Sequence, residues 1–417
     1  MFFGVILIID MELIVRTENE SNFNWIKKIL GDEYSYEYKT IPQPRHLQWQ
    51  YINVEQDFHT IPKKIKDLLQ FDKTDFIISI IKNKVEVPII SIEITASKPP
   101  SQHIEQRTAR MISAAELGIV PIFICPKYIL NDQGGTPYKF AEKFYNLFHK
   151  IGRINKVPFV ALHFPDKDGV LLNDENSHGC PDAGHENTKK IAEFISEILS
   201  ESKNNDDLNF SYFNNSKIKE TFNKQMILSN NKTYSSERMD TCQIIDTENL
   251  IEYIKNYSTD MSKDLFDNII KNMPTRILNR EKSLIFFPGN RRKLVESRLF
   301  AHAGDPYAGM IAALDYAFCR FGPTTEERDI NLVFIPGNED DSKFKKVFAN
   351  EGYNSFYKKH CPFQYTATDT DASKASIQLN KISHHLKYGC TYSKEKPLKI
   401  YSHYCDMIVF KDSLLTL

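Results

Sequence analysis

Long apolar runs are missing from this chain of 417 residues. The longest, Met1–Ile9 (MFFGVILII), is far short of the roughly 20 residues that span a bilayer, so no membrane segment is expected. A basic leader and a small-residue cleavage site are also lacking, and Asp10 and Glu12 follow at once. A secretory signal is therefore not expected. The run reads as a buried first strand or, with Met11 as an alternative start, as an upstream extension. Cysteine is sparse and scattered, with seven residues and no CxxC. That pattern favours reduced thiols and a cytoplasmic setting over a disulfide framework. An excess of one charge is absent too: 53 basic against 54 acidic residues excludes a uniformly basic chain and leaves room for local patches. There is no Walker A loop, no GxGxxG after a strand, no GxSxG, no HExxH and no internal repeat. These absences remove the usual signals of nucleotide binding, serine hydrolysis and zinc proteolysis.

Aromatic residues are plentiful, with 28 Phe and 20 Tyr, which argues for a packed core over a disordered chain. One shift in composition stands out. Residues 201–238 are rich in Asn, Ser and Lys and poor in apolar residues, as in a linker or surface excursion. It divides the chain into residues 1–200 and 239–417.

The first part alternates strand and helix patterns. Glu12–Arg16 reads as a short strand and Asn22–Leu30 as a helix. Ile61, Ile65, Leu68 and Leu69 share one helical face. Two β runs, Asp75–Ile81 and Val87–Thr95, flank a polar connection of hairpin length. A helix over Gln102–Leu117 follows, with Gly118 as its C-cap. Then come a strand at Ile119–Cys125, a helix at Phe140–Ile151, a strand at Pro158–Phe164 and a helix at Lys189–Leu199. This order implies α/β architecture with a mixed sheet flanked by helices. The second part reads as α+β, with strands at Leu284–Phe287, Leu332–Ile335, Ile400 and Met407–Phe410 and a buried helix at Ala308–Arg320. Both of its first two strands run into Pro-Gly-Asn turns.

Chemistry concentrates between Asp75 and Cys125. Asp75 heads one strand of the hairpin and Glu93 lies near the end of the other, with 17 residues between them. Antiparallel pairing brings such ends to one edge of the sheet. Two carboxylates there suit Mg²⁺, which takes one or two carboxylates together with waters and phosphate oxygens. A cation so held activates water and stabilises the charge of phosphodiester cleavage. Glu93 interrupts an apolar strand, where a carboxylate is costly unless it is paired, bound to metal or turned to water. On the next helix His103, Gln106, Arg107 and Arg110 are linked by spacings of three (103–106, 107–110) and four (103–107, 106–110). They share a face that, if exposed, would meet a phosphate backbone.

Asp75, Glu93-Ile94-Thr95 on a hairpin, then a helix and an apolar strand, together resemble the PD-(D/E)xK nuclease superfamily, which includes many restriction, repair and junction nucleases. The resemblance implies a mixed sheet flanked by helices, with Asp75 and Glu93 holding Mg²⁺ and the Ile94 carbonyl as a third ligand. It also implies that a Gln or Lys on the following helix completes the site. Two positions depart from the family pattern. Thr74 stands where Pro is usual, and Thr95 stands where Lys usually positions the attacking water. Thr95 offers a hydroxyl to such a water, while Lys98 and Arg107 are the nearby cations able to replace the missing charge. Thr95→Lys is accordingly expected to be tolerated or to restore activity. Glu55 and Asp57 are candidates for a third carboxylate.

Other clusters carry less. His178, Cys180 and His185 place three ligand types in one loop, one short of a zinc set and without its usual spacing. His360, Cys361, His384, His385, Cys390, His403 and Cys405 match no ligand pattern. Asp305 and Pro306 read as the N-cap and first turn of a helix. Residues 270–417 carry 22 Lys and Arg against 16 Asp and Glu. Arg291-Arg292-Lys293 and the Lys343, Lys345, Lys346 and Lys358-Lys359 clusters interleave with Phe344, Phe348, Tyr353, Phe356 and Tyr357. That pattern suits contact with nucleic-acid phosphates or, equally, a solvated face over a packed one.

These readings lead to an expectation of a Mg²⁺-dependent endonuclease hydrolysing double-stranded DNA. A type II restriction enzyme, working as a homodimer with the second part reading sequence, is the leading form. The alternatives are a repair, junction or RNA nuclease of the same fold, and a catalytically silent nucleic-acid-binding or defence protein that keeps the fold.

Overall fold

The computed structural model describes residues 11–41, 61–71, 73–95, 101–129, 138–140, 143–164, 166–167, 170–177, 179–204, 212–229, 242–286, 330–335, 371–388 and 405–417. They fall into two compact units, the first reaching past Ser229 and the second starting before Cys242.

The first unit is built on strands β1 (Met11–Thr17), β2 (Tyr34–Thr40), β3 (Phe76–Lys82), β4 (Val85–Ile94), β5 (Val120–Pro126) and β6 (Val160–Phe164). They form one six-stranded sheet in the order β2-β1-β3-β4-β5-β6. β3 runs antiparallel to β1 and β4, while β1–β2, β4–β5 and β5–β6 are parallel. The helices are α1 (Glu20–Leu30), α2 (Lys63–Phe71), α3 (Ser101–Glu116), α4 (Lys143–Asn155), α5 (Glu186–Asn204) and α6 (Ser216–Ser229). They cover both faces of the sheet. Trp25 of α1 packs on Phe76 with ring centroids 5.9 Å apart. On the opposite face Phe148 of α4 packs on Phe123 at 6.4 Å. The unit is thus α/β, with a mixed sheet between helices.

The β3–β4 hairpin positions the site. Asn83 and Lys84 both have positive φ, at 52° and 65°, as a two-residue type I′ turn requires. The connection is therefore shorter than the Lys82–Glu86 stretch suggests, and both strands extend into it. The register shifts between Ile78 and Ser79, leaving Ile89 as the extra residue beside Pro88. A bulge is where a strand tolerates a proline that cannot donate.

Residues 216–229, assigned from composition to the linker, form α6 instead. Its Gln225 side chain accepts from the Ala161 N–H at 3.1 Å and donates to the Ala161 carbonyl at 2.6 Å. An amide side chain thereby occupies the backbone groups of the edge strand β6, which would otherwise invite pairing with another chain. Composition missed this helix because it lies in a stretch dominated by Asn, Ser and Lys; among its described side chains Ile218 and Phe222 are buried. A Cβ on Gly152 of α4 would stand 2.6 Å from the Val157 carbonyl oxygen and 3.0 Å from Phe222. Gly152→Ala should therefore destabilise the protein by about 1–3 kcal/mol, the usual cost of overpacking. Thermal denaturation checks this.

The second unit carries β7 (Cys242–Asp246), α7 (Leu250–Tyr257), α8 (Lys263–Lys271), β8 (Lys282–Phe286), β9 (Ile330–Phe334), α9 (Ala372–Tyr388), β10 (Met407–Val409) and β11 (Leu414–Thr416). Its sheet order is β7-β8-β9-β10-β11, with β8, β9 and β10 mutually parallel. The expectation of α+β is corrected by this: parallel neighbours need crossover connections, which place the unit with α/β architecture. Asp406 accepts from Arg276, from Arg280 at 2.7 Å and from the Leu332 N–H at 3.0 Å, tying β9 to the start of β10.

Among the described residues no helix is long and apolar enough to cross a membrane. Met1–Ile9, Glu55, Asp57, the Ala308–Arg320 helix with Asp305 and Pro306, and Ile400 lie outside the described residues.

Candidate functional site

Asp75 and Glu93 come together through the hairpin register. Phe76 pairs with Ile92, so one step further Asp75 stands opposite Glu93 on the same face of the sheet. Two local bonds hold this end. The Asp75 carboxylate accepts from the Ile94 N–H at 2.8 Å. Thr74, at the position where the resemblance expects Pro, donates its hydroxyl to the Ile92 carbonyl at 3.0 Å and lies 2.9 Å from the Ser91 hydroxyl. Thr74 therefore pins the entry to β3 by a side-chain bond.

Glu93 is completely buried, which removes the reading that it faces water. Its companions come from α3. Arg110 Nη1 lies 3.3 and 3.4 Å from the two Glu93 oxygens, and Arg107 Nε lies 4.0 Å from Oε2. Arg107 also donates through Nη1 to the Ile94 carbonyl. For Arg107 and Arg110 these contacts replace a purely solvated stripe with one that also meets Glu93 and Ile94. Arg107 and Arg110 lie against the carboxylates because they share a helical face with the buried Met111 and Ala114. The side chains of His103 and Gln106 lie outside those described, as do Lys98 and Arg291–Lys293.

Electrostatics follow from burial. Glu93 is pushed up to about 8, first by loss of solvation and then by the Asp75 charge, against the pull of Arg110 and Arg107. Asp75 is also raised by burial, opposed by the Ile94 N–H and both arginines. A carboxyl raised on folding stabilises the fold most below its unfolded pKa, and that contribution is lost as pH climbs through the folded value. Glu93→Gln, which removes the titration, should therefore gain stability relative to the parent as pH rises from about 4.5 to about 8 without divalent cation. The steepest slope is about 1.4 kcal/mol per pH unit. Melting curves of both proteins across that range measure it.

Thr95 is buried, at 2% exposure, and its N–H donates to the Ile124 carbonyl at 2.9 Å. Strand alternation places it on the Glu93 face, the station the resemblance gives to Lys. The positive charge on that face comes from α3 instead.

Three further groups were not singled out by sequence reasoning. Glu18 stands opposite Asp75 when the Thr17–Phe76 pairing is carried one residue on. It raises the Asp75 pKa and is paired with Lys73 at 2.5 Å. Only the pairing of β1 with β3, across more than 50 intervening residues, reveals it. Cys125 and His163 are register partners on β5 and β6. His163 Nδ1 lies 3.0 Å from the Cys125 carbonyl and Nε2 lies 2.5 Å from the Tyr145 hydroxyl. Burial pushes His163 down to about 4 and Cys125 well up. With both ring nitrogens engaged, His163 fastens the ends of β5 and β6 together.

The loop around Cys180 is a clasp. Ser177 donates to the Asn22 side chain at 2.7 Å, Trp25 donates to the Pro181 carbonyl at 2.7 Å, and Lys28 pairs with Asp174 at 3.0 Å. His185 accepts from the Asn187 N–H. Cys125, Cys180 and Cys405 are free thiols. Among the described residues no three His, Cys, Asp or Glu side chains converge as a metal group. The set at the hairpin is two carboxylates and the Ile94 carbonyl, which suits Mg²⁺ because its other ligands are waters and phosphate oxygens. No protein-family model, curated protein or solved structure matches the chain.

Proposed function

We propose that the chain is a Mg²⁺-dependent nuclease with a PD-(D/E)xK core, acting on double-stranded DNA. The observation that carries this reading is the placement of Asp75 opposite the buried Glu93 at the hairpin end, with two arginines from the next helix against them. The order hairpin, helix α3, parallel strand β5 supports it. So does the contrast with a structural ion pair in the same sheet. Arg16 grips Glu86 with two bonds of 2.9 and 2.7 Å, whereas the arginines at Glu93 stand off at 3.3–4.0 Å. A carboxylate kept buried and loosely paired is held at a cost in stability, a common mark of functional sites.

In this reading Asp75 and Glu93 hold the cation, which when bound supplies an activated water and offsets charge on the phosphate. The Ile94 N–H keeps the Asp75 carboxylate oriented. Arg107 and Arg110 bind the scissile phosphate and take the part of the missing Lys at Thr95. The second unit reads sequence, and a homodimer addresses both strands. Digestion of a known genome, followed by sequencing of fragment ends, tests the restriction form. Ends at one recurring sequence are expected; scattered ends favour a repair or junction nuclease.

A second reading has its own observation. Arg107 already occupies the Ile94 carbonyl and Arg110 spans both Glu93 oxygens. If neither moves, the fold is a silent nucleic-acid-binding protein, which binds DNA in Mg²⁺ and leaves it intact.

A further inference from the structure

Glu93 has no exposed surface, and both guanidiniums lying against it reach solvent, Arg107 with 26% and Arg110 with 18% of the side chain exposed. The same two side chains hold the oxygens a cation would use. Arg110 faces both carboxylate oxygens of Glu93, and Arg107 donates to the Ile94 carbonyl. Their hold on Glu93 is looser than that of Arg16 on Glu86 by at least 0.4 Å at the nearest approach, 3.3 against 2.7 and 2.9 Å. A divalent cation and two guanidiniums repel at such distances. Once displaced, the guanidiniums can take a phosphate, whose oxygens their fork matches.

We propose that Arg107 and Arg110 form a latch: in the free protein they occupy the Glu93 and Ile94 oxygens, and on binding they pass to a nucleic-acid phosphate. Divalent cation and nucleic acid then bind cooperatively, each strengthening the other by the same factor. This rests on the nuclease reading of the site and adds to it a coupling between its two ligands.

The test is calorimetric titration of the full chain with Ca²⁺, with and without a short DNA duplex. The parent is compared with the Arg107→Gln/Arg110→Gln double variant, whose amides still donate hydrogen bonds but carry no charge. In the parent, the duplex should tighten Ca²⁺ binding by about tenfold or more, within the usual range of coupling between sites. In the double variant, Ca²⁺ should bind the free protein more tightly than it binds the free parent, and the effect of the duplex should fall below about threefold. Circular dichroism confirms that the variant is folded; should it not be, the single Arg110→Gln variant is titrated in its place and should show the same two changes. Unchanged or weaker Ca²⁺ binding by the free variant, or full coupling retained in it, overturns the latch alone. Absence of Ca²⁺ binding by every form, with duplex or without, overturns the nuclease reading and the latch with it.

Discussion

Glu93→Ala should abolish Mg²⁺-dependent cleavage, a loss of at least about 10³-fold in rate, the scale of a lost principal electrostatic group. DNA binding in Ca²⁺ should survive. In the proposed site the cation is held by Asp75 and Glu93, and losing Glu93 leaves it with the Asp75 carboxylate. The fold should not suffer. Glu93 is buried and pushed up to about 8, so burying a carboxyl that is ionised in the unfolded chain costs stability at neutral pH, and Arg107 and Arg110 keep access to water. Single-turnover cleavage, with melting curves for both proteins, separates these effects. A variant that cuts like its parent shows that the chemistry lies elsewhere.

Arg107→Ala should lower the single-turnover rate by about 10²-fold or more, as expected for a positioned cation beside developing charge. Arg107 is chosen over Lys98 because it is placed against Ile94 and Glu93. The geometry also reverses the expectation for Thr95→Lys. Thr95 is buried on the Glu93 face, and Arg107 donates to the carbonyl of the preceding Ile94, so an added ammonium there is desolvated and repelled. Thr95→Lys alone should destabilise the protein by about 3 kcal/mol, the cost of an unpaired buried charge. Combined with Arg107→Ala it should regain part of both stability and rate. A Thr95→Lys protein as stable and active as the parent would show that the arginines are not the local cations.

The first unit was largely legible from its residues. Apolar runs such as FIISII and IVPIFIC and the Ile61, Ile65, Leu68, Leu69 stripe produced strands and a helix within two or three residues of their expected ends. Gly118, at φ 71°, closes α3 as a left-handed cap. What escaped depended on contacts distant in sequence. β2 reads YSYEYKT, with polar residues on one side and half-buried tyrosines on the other, and it is a strand because β1 lies alongside it. α6 lies in a stretch rich in Asn, Ser and Lys, and Phe222 and Gln225 place it against α4 and β6. Within the site, Asp75 and Glu93 could be paired from the hairpin alone. Glu18 and the inward turn of Arg107 and Arg110 could not. The helical stripe shows which residues share a face, while only packing decides whether that face meets solvent or the sheet.

Incubation of the full chain with supercoiled plasmid in Mg²⁺, against a matched sample in EDTA, tests the central claim most directly. The account predicts breakage in Mg²⁺ to linear DNA or discrete fragments and none in EDTA. Plasmid that is retarded by the protein yet intact in Mg²⁺ and Mn²⁺, or that is cut equally in EDTA, would contradict it.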